Sequence, residues 1–166
     1  MQNRTLNLGA LYFPFMMNMK IHILLGSKSD SAVGDKIINT LKQFDIEYKL
    51  DVASAHRTPD RVKSLVEESD ADVFIGVAGL AAALPGSIAA HTTKPVVGVP
   101  VSGKVNLDSI LSIVQMPPGI PVAAVGLDRG DNAALLAVEI CALKDQKLAK
   151  QLEEYRERMR KKVTGE

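Results

Sequence analysis

Five short runs rich in valine, isoleucine, leucine and alanine punctuate this chain, and stretches of helical periodicity separate them. The runs are His22–Leu25, Tyr48–Ala53, Val73–Ala78, Val96–Val101 and Val122–Val125. Most are apolar almost throughout rather than alternating, the pattern of strands covered on both faces of a parallel sheet. Between the first two, Val33, Ile37, Leu41 and Phe44 recur at helical spacing. After the second, Thr58 stands as a helix cap, with Pro59 in the first helical position and Asp60 in the first turn. Val62, Leu65 and Val66 then supply the face to be buried. Further helices are predicted over Pro85–Ala90, over Leu107–Val114 and from a cap at Asp131 or Asn132 through Leu143. A last one spans Asp145–Lys162, where Leu148, Leu152, Tyr155 and Met159 form a stripe.

The order βαβαβαβαβαα predicts an α/β fold, a three-layer doubly wound parallel sheet with flavodoxin-like strand order and an extra C-terminal helix. Right-handed crossovers then put helices on both faces, and ligands in such folds bind outside the carboxyl ends of the strands. With 166 residues there is room for one domain with a substantial core, read here as a single catalytic α/β domain over residues 19–166. Residues 1–18 read as a dispensable or misassigned extension; the rival reading is a short arm packed on a partner subunit. Leu8–Met17 is apolar and follows Arg4, but no small-residue cleavage site comes after it and the run is too short to span a membrane. Twenty basic and 19 acidic side chains leave a net charge of +1, so no global field favours nucleic acid or an anionic membrane. The single Cys141 excludes an intrachain disulfide and a CxxC metal site; it falls in an apolar helical pattern and reads as a buried structural thiol in a reducing, cytoplasmic setting.

Two polar clusters fall where strands hand over to helices. Gly26-Ser27-Lys28-Ser29-Asp30 follows the first strand. Its glycine permits close backbone approach, and Ser27 and Ser29 offer hydroxyls beside a helix start. Asp30 would repel a phosphate, so it reads either as an acceptor for ribose hydroxyls or as a cap for the first helix. Neither the Walker pattern nor GxGxxG is present. Ser54-Ala55-His56-Arg57 follows the second strand and sets an imidazole suited to acid–base chemistry beside a guanidinium suited to gripping phosphate. His22, inside the first strand, reads as packed or paired, and His91, at the far end of the third helix, as a surface or interface residue. The small residues of Ala78–Gly86 permit close approach of a ligand, another subunit or simply a packed helix. Ser112–Pro121 holds Pro117, Pro118 and Pro121 and is a stiff segment that either covers a pocket or connects two elements.

GSKSD at 26–30, SAHRTPD at 54–60, LPG at 84–86, SIVQMPPGIPV at 112–122 and NAALLA at 132–137 occur in that order. Together they resemble the N5-carboxyaminoimidazole ribonucleotide mutase family of purine biosynthesis, which includes the catalytic subunit of phosphoribosylaminoimidazole carboxylase. The resemblance runs from about Lys20 to Lys144. It implies a flavodoxin-like fold, a cytoplasmic homo-octamer, a small ribonucleotide substrate, no nucleic acid or membrane partner, and no metal or organic cofactor. It implies that the carboxyl group of N5-carboxyaminoimidazole ribonucleotide moves to ring C4 during IMP biosynthesis. The resemblance further implies that His56 is the general acid and base of such an isomerase. By the same resemblance, Ser27 and Asp30 would contact the ribose-phosphate region, Arg57 would bind substrate through phosphate, and Ser29 and Ser54 would line the pocket. The chain departs from the family where AGGAAHLPG becomes AGLAAALPG, with Leu80 at the usual second glycine and Ala83 at the usual histidine.

Two other readings remain within the family. One is direct carboxylation of 5-aminoimidazole ribonucleotide by carbon dioxide, a lyase in reverse; the other is a non-catalytic ribonucleotide-binding paralogue, marked by Ala83. A flavin carrier would need aromatics in these loops, and a phosphoacceptor receiver needs an aspartate where the third strand ends in Ala78-Gly79.

Overall fold

The structure, a computed structural model, describes residues 19–165; the expectations for residues 1–18 lie outside them. The first half of the described chain forms β1 (Lys20–Leu25), α1 (Ser31–Leu41), β2 (Glu47–Val52), α2 (Pro59–Glu67) and β3 (Val73–Gly79). There follow α3 (Leu84–Ala89), β4 (Val96–Val101), α4 (Asn106–Val114), β5 (Ala123–Ala124), α5 (Gly130–Ala142) and α6 (Gln146–Thr164). All four strand pairings are parallel, in the order β2-β1-β3-β4-β5. This is the flavodoxin-like arrangement, with its switch point between β1 and β3.

Successive strand side chains point to opposite faces, so each central strand feeds two cores. Ile21, Ile23, Leu25, Val73, Ile75, Val77, Val97 and Val99 pack against α1, α5 and α6. Leu24, Phe74, Ala78 and Val96 face α2, α3 and α4 on the other side. Burial on both faces explains the near-continuous apolar character of β1, β3 and β4. The edges differ: β2 is largely exposed, and β5 pairs only through Ala123 and Ala124 and is exposed, shorter than the Val122–Val125 run predicts.

Small residues set the distance between layers. A Cβ on Gly76 would lie 2.9 Å from Ile88 Cδ1, and one on Gly98 would lie 2.5 Å from Ile113 Cγ2. These glycines let α3 and α4 sit directly on the sheet and so fix the loops at its carboxyl edge.

Two expected caps are corrected. Thr58 occupies the cap position of α2 but makes no capping bond there; its hydroxyl accepts from Ser54 N at 2.9 Å and donates to Ser54 O at 3.2 Å. Neither Asp131 nor Asn132 caps α5, which begins earlier, at Gly130, because Asp131 bonds Arg129 and Asn132 N instead. The stripe of α6 buries Leu148 and Leu152, and the Tyr155 ring packs tilted against Phe44 with centroids 5.5 Å apart, but Met159 is exposed. Cys141 is buried, and loss of solvent pushes its thiol up to about 11, which suits a packing residue. His22 is buried too, with Nε2 3.1 Å from Asp51 Oδ2 and Nδ1 3.0 Å from Ser69 Oγ. Because an ionised carboxylate only accepts, Nε2 carries the hydrogen and Nδ1 accepts from the serine hydroxyl. His91 lies 3.8 Å from Glu67 Oε1 at the surface, away from the carboxyl edge of the sheet.

Candidate active site

The loops after β1, β2, β3 and β4 enclose a cleft of about 550 Å³ at the carboxyl edge of the sheet. Ser27, Ser29, Asp30, Ser54, His56 and Arg57, the residues singled out in the sequence, all line it. Parallel pairing explains this convergence. The β1–β2 register ends at Leu25↔Val52, so the two polar turns leave the sheet side by side.

The first turn is tight. Gly26 N donates to Val77 O at 2.9 Å, and a Cβ on Gly26 would come within 3.3 Å of that same oxygen. Ser27 Oγ accepts from Ser29 N at 3.3 Å and caps a 3₁₀ turn over Lys28–Asp30. Asp30 sits at the cap position of α1 without making a side-chain cap, so the capping alternative does not hold. Its carboxylate is buried and accepts from Ser29 Oγ at 3.2 Å. Burial pushes the Asp30 carboxyl above its usual value, against the opposing pull of the Ser29 hydroxyl, the Ser27 backbone and the Arg57 charge.

The second turn is held by its own hydroxyls. Thr58 ties back to Ser54 through the pair of bonds already described, and Ser54 Oγ accepts from Arg57 N and from Arg57 Nε, both at 3.3 Å. Arg57 Nη2 reaches across to donate to Gly26 O at 3.2 Å. One guanidinium therefore straps the two turns together. It spends two donors on the strap and retains three for an anion. Ser54 Oγ accepts in both of its bonds, which leaves its own hydrogen for a ligand. His56 is exposed in the Ala55–Arg57 turn, lines the cleft, and bonds no other described residue through its ring.

The other half of the cleft is mostly apolar. Ala78, Leu80, Ala81, Ala83, Leu84 and Val101 line it, so the wall around Ala83 is aliphatic. Leu80 has φ 54, in the left-handed region, where a leucine is disfavoured by roughly 1–2 kcal/mol.

The sequence reading missed Ser102 and Gly103, which complete the lining. Ser102 N donates to Asp128 Oδ1 at 2.8 Å, and Gly103 N to Asn106 Oδ1 at 2.8 Å. Their place after β4, at the carboxyl edge, was the available signal. By contrast, no residue of 112–121 lines the cleft. A Cβ on Gly86 would lie 3.2 Å from Met116 Sδ, so that segment packs on α3 within this chain. Among the described residues no group of three or more His, Cys, Asp or Glu is placed to hold a metal ion, and no helix is long and apolar enough to cross a membrane.

The family model described as AIR carboxylase matches residues 20–162. A Methanocaldococcus jannaschii protein named N5-carboxyaminoimidazole ribonucleotide mutase is 60% identical over 144 residues, covering 86% of this chain and 92% of that protein. A protein of the same name from Pyrococcus abyssi is 49% identical over 147 residues, 86% of this chain and 84% of its own length. Among solved structures, Treponema denticola PurE superposes with a TM-score of 0.81 at 34% identity, over 88% of this chain and 94% of that one. A family model spanning nearly every described residue, relatives matched over most of their length and a shared five-strand order lead to one conclusion: this chain belongs to the AIR carboxylase family.

Proposed function

We propose that this protein is an N5-carboxyaminoimidazole ribonucleotide mutase, an isomerase of purine biosynthesis that yields 4-carboxy-5-aminoimidazole ribonucleotide. The observation that carries the reading is the Arg57 bridge, which joins the two polar turns into one cleft wall. Arg57 takes the substrate phosphate with its remaining donors, as a rigid fork suits. Asp30 accepts from ribose hydroxyls, Ser27 contacts the ribose-phosphate region, Ser29 lines the pocket, and Ser54 donates its free hydroxyl hydrogen. His56 is the only imidazole on the cleft, so it moves the protons.

The chemistry balances through one imidazole. As the exocyclic N–C bond breaks, carbon dioxide leaves and protonated His56 gives its proton to the nitrogen. Ring C4 then attacks the carbon dioxide, a C–C bond forms, and the C4 proton passes to His56, restoring its starting state. No electrons are exchanged with another group. Holding carbon dioxide beside C4 converts a bimolecular encounter into a local one.

The same reading assigns the protein to the cytoplasm as a homo-octamer without metal or organic cofactor. Exposed Leu107, Leu111 and Val114 on one face of α4 support subunit contact, since such a stripe is costly in water. Two parallel assays test the function: one supplies the N-carboxylated substrate, the other 5-aminoimidazole ribonucleotide with bicarbonate, both with divalent metals chelated. Turnover of the first is expected. Turnover of the second alone would establish a carboxylase, and binding without conversion in either would establish a non-catalytic paralogue.

A further inference from the structure

Among the described residues, three that are not glycine adopt positive φ: Asp45, Leu80 and Asp128. Both aspartates have an evident reason. Asp45 terminates the turn after α1, and Asp128 bonds Ser102 N while its carbonyl accepts from Lys36 Nζ at 3.1 Å. Aspartate also tolerates this region better than an aliphatic residue does. Leu80 has no such compensation: its side chain is 70% exposed and belongs to neither core cluster. A strained, solvated leucine on the wall of a cleft is a backbone outlier that folding of this chain alone does not reward, and such outliers concentrate at ligand clamps.

Strand order divides the cleft. The turns after β2 and β1 supply its polar half, and the loops after β3 and β4 supply the apolar half on which Leu80 stands. Apart from the Ser102 hydroxyl, the apolar half offers no side-chain hydrogen bond: Ala78, Ala81, Ala83 and Val101 are the neighbours of Leu80 on the lining. Carbon dioxide is small, neutral and weakly hydrated, so such a wall can retain it only by steric closure. We infer that Leu80 is that closure. Its side chain folds from the rim over the apolar half when substrate is bound, and it holds carbon dioxide beside C4 between cleavage of the N–C bond and formation of the C–C bond. The inference rests on the mutase reading and assigns Leu80 a sealing role within it, while proton transfer stays with His56. Burial of the leucine on the bound ligand supplies the apolar gain that the free protein leaves unused.

The test uses substrate carrying carbon-13 in the transferable carboxyl, in buffer with unlabelled bicarbonate, and mass spectrometry of the C4-carboxylated product. Wild type is expected to retain most of the label after subtraction of the enzyme-free reaction. Leu80→Gly and Leu80→Ala are each expected to raise the escaped fraction about tenfold, equivalent to about 1.4 kcal/mol lost from the barrier to escape. Leu80→Gly should melt no lower than wild type, since glycine is at ease at this φ. Label retention in both variants equal to wild type would overturn the seal. A change in assembly mass with label retention unchanged would overturn it in favour of a subunit contact. If wild type forms product but exchanges its label completely, the seal fails while catalysis stands. If wild type forms no product, the function itself fails, on the wild-type arm alone.

Discussion

Replacing Arg57 with alanine separates what this side chain does for the fold from what it does for the ligand. In the free protein its guanidinium makes two bonds, Nη2 to Gly26 O at 3.2 Å and Nε to Ser54 Oγ at 3.3 Å. Both are exposed, so losing them costs about 0.5–1 kcal/mol each at most. For a chain of this size that lowers the melting temperature by roughly 2–4 °C per kcal/mol. Binding suffers more, because hydrogen bonds to a charged phosphate contribute about 1.5–3 kcal/mol. That corresponds to a KM increase of about tenfold to somewhat over a hundredfold, with kcat little changed, since phosphate is remote from the transferring carboxyl. Arg57→Lys keeps the charge but loses the planar fork and the strap, so it should recover only part of the affinity. Steady-state kinetics on the three proteins, with thermal melting alongside, provide the assay. An Arg57→Ala enzyme with unchanged KM and a collapsed kcat would refute the phosphate assignment. An Arg57→Lys enzyme equal to wild type would refute the strap geometry.

The buried His22 gives the fold a pH signature. Burial lowers its pKa below the ordinary 6.5, opposed by the Asp51 hydrogen bond and aided by the Lys49 charge. The unfolded chain therefore takes up a proton first, and stability should be level above about pH 6.5 and fall as the pH drops below it. Urea unfolding of wild type and His22→Gln from pH 8 to pH 5 checks this; equal slopes in the two would contradict it. Burial alone would raise the Asp51 carboxyl, but the hydrogen bonds and charges of His22 and Lys49 hold it below its usual value. Its share of the stability is present above about pH 3.8 and is lost at lower pH. Gly98→Ala would drive a methyl into Ile113 Cγ2, 2.5 Å from the new Cβ, and should destabilise by about 1–3 kcal/mol. Combining it with Ile113→Ala, which removes the crowded Cγ2, should cost less in denaturant unfolding than the two single changes added together, and simple additivity would mean that the strain lies elsewhere.

Most of the architecture was legible because its causes are local. The β-branched runs that became β1, β3 and β4 lie in the centre of the sheet, where burial on both faces demands apolar residues throughout. Strand five was overestimated because Val122–Val125 reads like an inner strand, whereas its edge position leaves only Ala123 and Ala124 paired. Helix caps were less legible: Thr58 has the right chemistry for a cap, but a closer competitor, Ser54, takes its hydroxyl. The polar half of the cleft was readable as two clusters at strand ends, though nothing local could reveal that Arg57 bonds Gly26 O, 31 positions away. The strain at Leu80 was invisible for a related reason, since a leucine between Gly79 and Ala81 carries no sequence mark of left-handed backbone. Ser102 escaped notice because a serine-glycine pair carries no chemical signature until Asp128 fixes it against the cleft.

The central claim is that the imidazole in the Ala55–Arg57 turn carries the proton in both directions while the strapped turns hold the ribonucleotide. The most direct test is the single-turnover rate of His56→Asn with the N-carboxylated substrate, measured together with its affinity for the ribonucleotide. A rate reduced by about a hundredfold or more, with affinity within a few-fold of wild type, is the expected result. A His56→Asn protein that transfers the carboxyl at the wild-type rate would contradict the account.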